Sequence, residues 1–340
     1  MPIGNLSFQS YFPHVSDLVA GLLGALLATN QPVAVSNLVQ QTTGISVSVP
    51  DPNDPVEKEY QKLLGDDDEA QAEVDQWIRE NQDFASKGGG VPREDLNRRI
   101  HARFEPVGKA YRDFLQRHPD HARAHIAYGS FLGDIGDDEG ATQQWEKALA
   151  LDPKNPAVYD DLAGMYAHDG PVKKAFEYYA KAIELKPTEP LYYKNLGTIV
   201  YLFRKDAVEY YNITEQQVFD KALDLYNKAM KLDPTDFPLA SYVAQTYYGI
   251  KPPRTDDALN AWTNALKIAH DDIEREGVYI HFARLKLHAH RFDEARAHLD
   301  AITNAMYADL KKRLVRSLEE EKAMVYATNH PAQPSSPPAK

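Results

Sequence analysis

From about residue 56 onward, apolar residues recur three and four positions apart, the spacing that places side chains on one stripe of an α-helix. Tyr60, Leu63 and Leu64 mark one such stretch, 57–64, and Val74, Trp77, Ile78 and Phe84 mark a second, 67–84. The acidic run 66–69 suits the opening turn of the second helix, where carboxylates oppose the positive end of the helix dipole. Gly88, Gly89, Gly90 and Pro92 then interrupt the chain, and the pattern predicts a further helix over 93–118.

The pattern then becomes periodic. Trp145-Glu-Lys-Ala148-Leu-Ala-Leu-Asp-Pro153 is followed by Tyr179-Ala-Lys-Ala182-Ile-Glu-Leu-Lys-Pro187 and by Tyr226-Asn-Lys-Ala229-Met-Lys-Leu-Asp-Pro234. Pro119→Pro153, Pro153→Pro187, Trp145→Tyr179 and Ala141→Ala175 are each 34 residues apart. A fixed period in this range predicts stacked supersecondary units, each burying its apolar face on the next. Large apolar residues fall at Tyr128, Leu162 and Leu196, and each is followed by a small one, Gly129, Ala163 and Gly197.

This arrangement resembles the tetratricopeptide repeat family, over about residues 88–307. The resemblance implies an all-α, right-handed superhelical solenoid of helix–turn–helix repeats, with small residues where paired helices approach closely. Five segments are expected: a leader and linker (1–54), N-terminal helices with an atypical first repeat (55–121), repeats (122–307), a capping helix (308–327) and a Pro-rich disordered tail (328–340). The stripe of the capping helix is Leu310, Leu314 and Leu318, extended by Met324.

One repeat breaks the period. Gly129→Ala163→Gly197 keeps the 34-residue step, whereas Ala175→Ala222 and Pro187→Pro234 are 47. The extra 13 residues therefore lie within the third repeat, at about 201–221. That stretch has no Gly or Pro, and Thr214-Glu-Gln-Gln217 reads as a capping box. The simplest expectation is that both helices gain about two turns and project roughly 10 Å, carrying aromatic residues that include Tyr210 and Tyr211, which either pack the two extensions on each other or form a second candidate partner surface beside the groove.

The composition narrows the function classes. Fifty Asp and Glu against 38 Lys and Arg give a net charge of −12, which leaves no basic surplus for a general nucleic-acid binder. There is no cysteine, so disulfides, thiolate metal sites and cysteine nucleophiles are excluded. The sequence carries no phosphate loop, His-Glu-x-x-His, Gly-x-Ser-x-Gly or dinucleotide fingerprint. Residues 134–140 resemble a calcium loop only faintly, with a misplaced Gly and no closing Glu. His281, His288, His290 and His298 cluster in sequence, but no acidic third zinc ligand is evident. Asn212-Ile-Thr214 fits a glycosylation acceptor. No metal or cofactor is expected.

By the resemblance, the partner is a protein or extended peptide, held in a concave groove lined by the first helix of each repeat. The family register places Arg123, Ile126 and Ser130 there, with Asp160, Gly164 and His168 from the second repeat. Lys194, Thr198 and Tyr201 come from the third repeat, and Ser241, Gln245 and Tyr248 from the fourth. Ile280, Arg284 and His288 come from the fifth. Some family members clamp a peptide carboxylate with Lys, Arg and Asn residues; Lys194-Asn195 resembles a fragment of that set, and its other members are missing. The reading is a non-catalytic scaffold, with an enzyme using a groove site as the alternative.

Residues 18–28 form an eleven-residue apolar run. It is too short to span a bilayer but matches the core of a secretory signal peptide, although no Lys or Arg precedes it. Export to the periplasm or outside is expected from it, with a cytoplasmic location as the alternative. Mass spectrometry of the mature N-terminus checks this: cleavage beyond residue 28 is expected, and an intact Met1 or Pro2 overturns it.

Overall fold

A computed structural model describes residues 53–329. The expected leader, most of its linker, and the Pro-rich tail from residue 330 lie outside the described residues. Fourteen α-helices and two short 3-10 turns account for the described elements, with no strand among them. The chain divides into two compact units at 185/186.

The first unit opens with a long antiparallel hairpin, α1 (Pro55–Ser86) and α2 (Arg93–Arg117). Asp54 caps α1 by accepting from the Val56 amide, with Pro55 at the first helical position, where its missing N–H costs nothing. Tyr60 lies against Phe114, Tyr111 donates to Asp67, Arg103 pairs with Glu73, and the Arg99 guanidinium sits over Trp77. One index rises as the other falls, the register of antiparallel partners. Gly88 and Gly90 turn the chain with φ of 82° and 102°, values that L side chains adopt only with strain.

The sequence pattern predicts two helices where α1 is one. The acidic run 66–69 does not start a helix; it lies in the interior of α1. Tyr60, Leu63, Asp67, Ala70 and Val74 form one uninterrupted buried stripe across Gly65, which is itself exposed. A helical Gly costs about 1 kcal/mol relative to Ala, and the packing on both sides of it outweighs that. Asp67 is held by Tyr111 (2.6 Å) and Gln71, and Lys62 pairs with Asp66 at 2.7 Å.

Two repeat hairpins complete the unit: α3 (Ala122–Asp134) with α4 (Asp138–Leu151), and α5 (Pro156–Asp169) with α6 (Val172–Leu185). Asp137 and Asn155 cap α4 and α5 through the Gly140 and Ala157 amides. The residues that resembled a calcium loop thus serve as a turn and an N-cap. α1 lies beside α3, joined through Gln71 to Asp134 and Tyr60 to the Arg123 carbonyl.

The second unit contains α7 (Pro190–Leu202), α8 (Arg204–Tyr211), α9 (Glu215–Leu232), α10 (Phe237–Thr246), α11 (Thr255–Lys267), α12 (Asp272–His288), α13 (Phe292–Asp300) and α14 (Ala308–Asn329). The hairpins are α7/α9, α10/α11 and α12/α13. Leu310, Leu314, Val315 and Leu318 of α14 pack over Ile280, Ala283, Leu287, Leu299 and Ile302. The stripe stops there: Met324 is exposed, because the helix runs past the surface it covers.

The 13-residue insertion differs from the expectation of two lengthened helices. α7 stops at Leu202, Phe203 leaves helical geometry (φ −102°, ψ 52°), and the separate α8 follows. Two straight extensions would have only each other to cover their apolar side chains. The break instead buries Ala207 fully, and Arg204 donates to the Tyr201 carbonyl at 2.8 Å, supplying an otherwise unpaired helix-end acceptor. Asn212 closes α8 in the left-handed region (φ 51°), which Asn tolerates better than most residues. The capping box at Thr214 is present, with both reciprocal hydrogen bonds made.

The hairpins are set by small residues facing aromatic rings. A Cβ on Gly129 would come within 2.5 Å of the Trp145 ring, and one on Gly197 within 2.8 Å of the Tyr226 ring. Gly197→Leu should therefore cost roughly 1–3 kcal/mol or more, read as a lower denaturation midpoint with unchanged dependence on denaturant; an unaltered midpoint refutes this packing account. Asp67 generates a second prediction. Burial pushes its carboxyl up to about 6, against the opposing hydrogen bonds from Tyr111 and Gln71. A raised folded-state value means its contribution is fully present below the ordinary range near 4 and is lost as pH rises through about 6. Asp67→Asn, always neutral and still an acceptor for Tyr111, should raise the melting temperature more at pH 8 than at pH 4; equal shifts at both would contradict it.

Candidate partner-binding surface

In the first unit, α3 and α5 supply the register positions expected to face a partner. Arg123 stands at the start of α3, half-buried, and is already engaged: it pairs with both carboxylate oxygens of Glu57 and lies 5.0 Å from the Tyr60 ring centre. Ser130 donates to the Ile126 carbonyl. Asp160 is buried on α5. Burial, with the charges of Asp160 and Asp134, drives the neighbouring Asp161 carboxyl well above the usual carboxylate range, and its Oδ2 has no hydrogen-bond partner among the described residues. His168 is exposed at the end of α5, and Gly164 is half-buried.

In the second unit, the α7 positions are buried rather than presented. Lys194, Asn195 and Thr198 are each less than a tenth exposed. Lys194 Nζ reaches Asp236 Oδ2 at 3.5 Å, and Asp236 also caps α10 through the Leu239 amide. Thr198 donates to the Lys194 carbonyl and accepts from Tyr226, at 2.9 and 3.2 Å. The Lys194-Asn195 fragment is therefore spent on packing. Tyr201 is half-buried against Phe219, with the Arg204 guanidinium over both rings. Tyr210 and Tyr211 meet edge to face at 4.8 Å, and Lys221 Nζ lies 4.0 Å from the Tyr211 ring centre.

Further along the same unit the surface is presented. Gln245 on α10 and Tyr248, in the turn after it, are exposed. The Tyr248 hydroxyl lies 2.9 Å from His281 Nδ1 on α12. His281 in turn stacks flat on Trp262 of α11, centroids 3.9 Å apart and planes 11° from parallel. Arg284 follows one turn later on α12, half-buried. Ile280, which the register also placed here, is buried in the core instead, because α12 turns that position inward. Sequence reasoning missed Trp262 and His281 in this cluster; Trp262 occupies the periodic aromatic position of Trp145, Tyr179 and Tyr226, and that recurrence is the signal that could have found it.

Burial, and secondarily the Arg284 charge, lowers His281 to about 4, and burial raises Tyr248 to about 12. Neither group is charged near neutrality, and a phenol beside so weak a base is not an activated nucleophile. The four histidines of this region do not converge. His298 stacks on Phe282 and contacts Lys286 Nζ, while His288 and His290 are exposed, and no metal-ligand cluster occurs among the described residues. No described helix is long and apolar enough to cross a membrane.

No known family profile matches the chain. It is similar to the photosystem I assembly protein Ycf3 of Prochlorococcus marinus (strain MIT 9211), 30% identical over 120 residues, covering 33% of this chain and 68% of that protein. It is also similar to the mouse (Mus musculus) mitochondrial import receptor subunit TOM70, 25% identical over 204 residues, 55% of this chain and 31% of that one. A third similarity is to the TPR repeat-containing protein MJ1428 of Methanocaldococcus jannaschii, 24% identical over 149 residues, 43% of this chain and 24% of that one. With the 34-residue step, the small residues under aromatic rings and paired helices in each unit, these likenesses agree that the chain belongs to the tetratricopeptide repeat family.

Proposed function

We propose that the chain is a non-catalytic scaffold that binds a protein or an extended peptide on the first-helix face of its second unit. The observation that carries this reading is the presented cluster of Gln245, Tyr248 and Arg284. The α7 positions are consumed by internal packing, whereas these three offer an amide, a phenol and a guanidinium at the surface. Tyr and Arg are the residue types most enriched where binding energy concentrates. The names of two relatives describe assembly and reception, and neither names a reaction.

The α8 insertion is a weaker alternative surface. Tyr210 and Tyr211 are half-buried there, and the contact with Lys221 already uses one face of Tyr211.

The test is affinity capture from the native host with the full chain and with Gln245→Ala/Tyr248→Ala. The double variant removes the exposed Gln245 amide and, with the Tyr248 ring, its contact to His281, so a cooperative thermal melt is required of it before recovery is compared. Recovery of the principal captured protein should fall by about tenfold or more. Equal recovery by parent and variant rejects this face, and turnover of a substrate by the pure chain rejects the scaffold reading.

A further inference from the structure

A cavity of about 480 Å³ opens in the first unit between α2 and α4, the second helices of their hairpins, with α3 also lining it. That is within the size range of small-molecule sites. Leu115, Tyr128, Ala150 and Leu151 give it apolar walls, and Leu151 is 39% exposed. None of its lining residues is a groove position of a first helix.

The next repeat shows what the cavity lacks. Two of its lining residues, His125 and Gln144, have Tyr159 and Tyr178 as counterparts 34 residues on. His125 keeps the hydrogen bond of its counterpart: Nε2 lies 2.8 Å from the Pro119 carbonyl, as the Tyr159 hydroxyl lies 3.2 Å from that of Pro153. Gln144 does not keep the ring. Tyr178 meets Tyr159 edge to face at 5.6 Å and Tyr166 at 5.3 Å, whereas Gln144 turns its amide to His125 Nδ1 at 2.7 Å. An aromatic ring that packs one repeat is thus absent from the other, beside walls that stay apolar.

The charges differ at the same positions. Arg112 and Ala150 line the cavity where the next repeat has Glu146 and Glu184. Lys147 corresponds to Lys181, which Glu184 holds at 2.8 Å. With alanine at 150, Lys147 makes no ion pair among the described residues. Arg112 gives one nitrogen to Glu105 at 3.1 Å, and both side chains are more than half exposed, so most of its donor fork is left for another anion. The cavity therefore presents two cations and no acid, in a chain whose acids outnumber its Lys and Arg by 50 to 38.

We infer that this cavity binds a small aromatic anion, with its ring on the apolar walls and its charged group at Lys147 and Arg112. The ring stands where Tyr178 stands in the next repeat, and the negative group where Glu184 and Glu146 stand. One aryl anion supplies both features, apolar ring area and a charge-assisted contact. The site lies apart from the second-unit face proposed above and does not depend on it.

The test uses the full chain carrying carbon-13 in its leucine methyl groups, with the Leu151 signals identified as those missing from the Leu151→Met spectrum. Naphthoate should shift these signals to saturation. Its neutral amide, and decanoate as an anion without a ring, should each bind at least about tenfold more weakly. Gln144→Tyr, which restores the ring of the next repeat, should abolish the naphthoate shift. Lys147→Glu should weaken binding by about tenfold or more; this position is exposed, so the variant tests the site even if the added ring disturbs folding. The inference is overturned if naphthoate leaves the Leu151 signals in place, if the amide or decanoate binds as tightly, or if either folded variant binds naphthoate unchanged. Shifts from a blocked peptide of aspartate and tryptophan, with none from naphthoate, would give the cavity to a partner's side chain and overturn it too.

Discussion

The helical hairpins keep their spacing because a residue with little or no side chain faces a large aromatic ring on the opposing helix. Gly129 faces Trp145 and Gly197 faces Tyr226, each so closely that a single added carbon would meet the ring. Ala141, Ala175 and Ala222 are fully buried in the partner helices. Close approach at these points fixes which positions of each first helix turn inward and which reach solvent.

That constraint explains why positions equivalent in register differ in use. On α7, Thr198 follows Gly197 directly and bonds Tyr226, the ring that lies over the glycine. Lys194 is drawn toward Asp236 at the start of the next hairpin. The same register on α12 places Arg284 after Ala283, and it makes no salt bridge among the described residues, unlike Arg275 on the same helix. In α3 the position taken by Arg123 is held by Glu57, which the sequence places far upstream on a helix outside the regular repeats. A repeat thus provides a template of sites, and neighbouring helices decide which are consumed.

The insertion shows the same competition at the level of backbone. Its lack of Gly and Pro favours continuous helix locally, yet the chain bends at Phe203. A separate α8 packed on the hairpin buries Ala207 and pairs the Tyr201 carbonyl, and two solvated extensions would forgo both gains. The converse holds in α1, where an acidic run and a Gly suggest a helix start, and an unbroken buried stripe carries the helix through both.

What the sequence determined by itself was whatever is periodic and local: the all-α class, the 34-residue step, the recurring small residues and the capping box at Thr214. These depend on side-chain size and on hydrogen bonds within a few residues, so they are legible in one dimension. Tertiary structure alone decided the fate of the polar candidates. Whether Arg123, Lys194 or Arg284 meets a carboxylate depends on residues as far apart as Glu57 and Arg123. An ion pair is set by distance in space, which spacing along the chain does not encode. Hence the repeat was readable before its shape was known, while the cluster at Tyr248, His281 and Arg284 emerged only once α10 and α12 stood side by side.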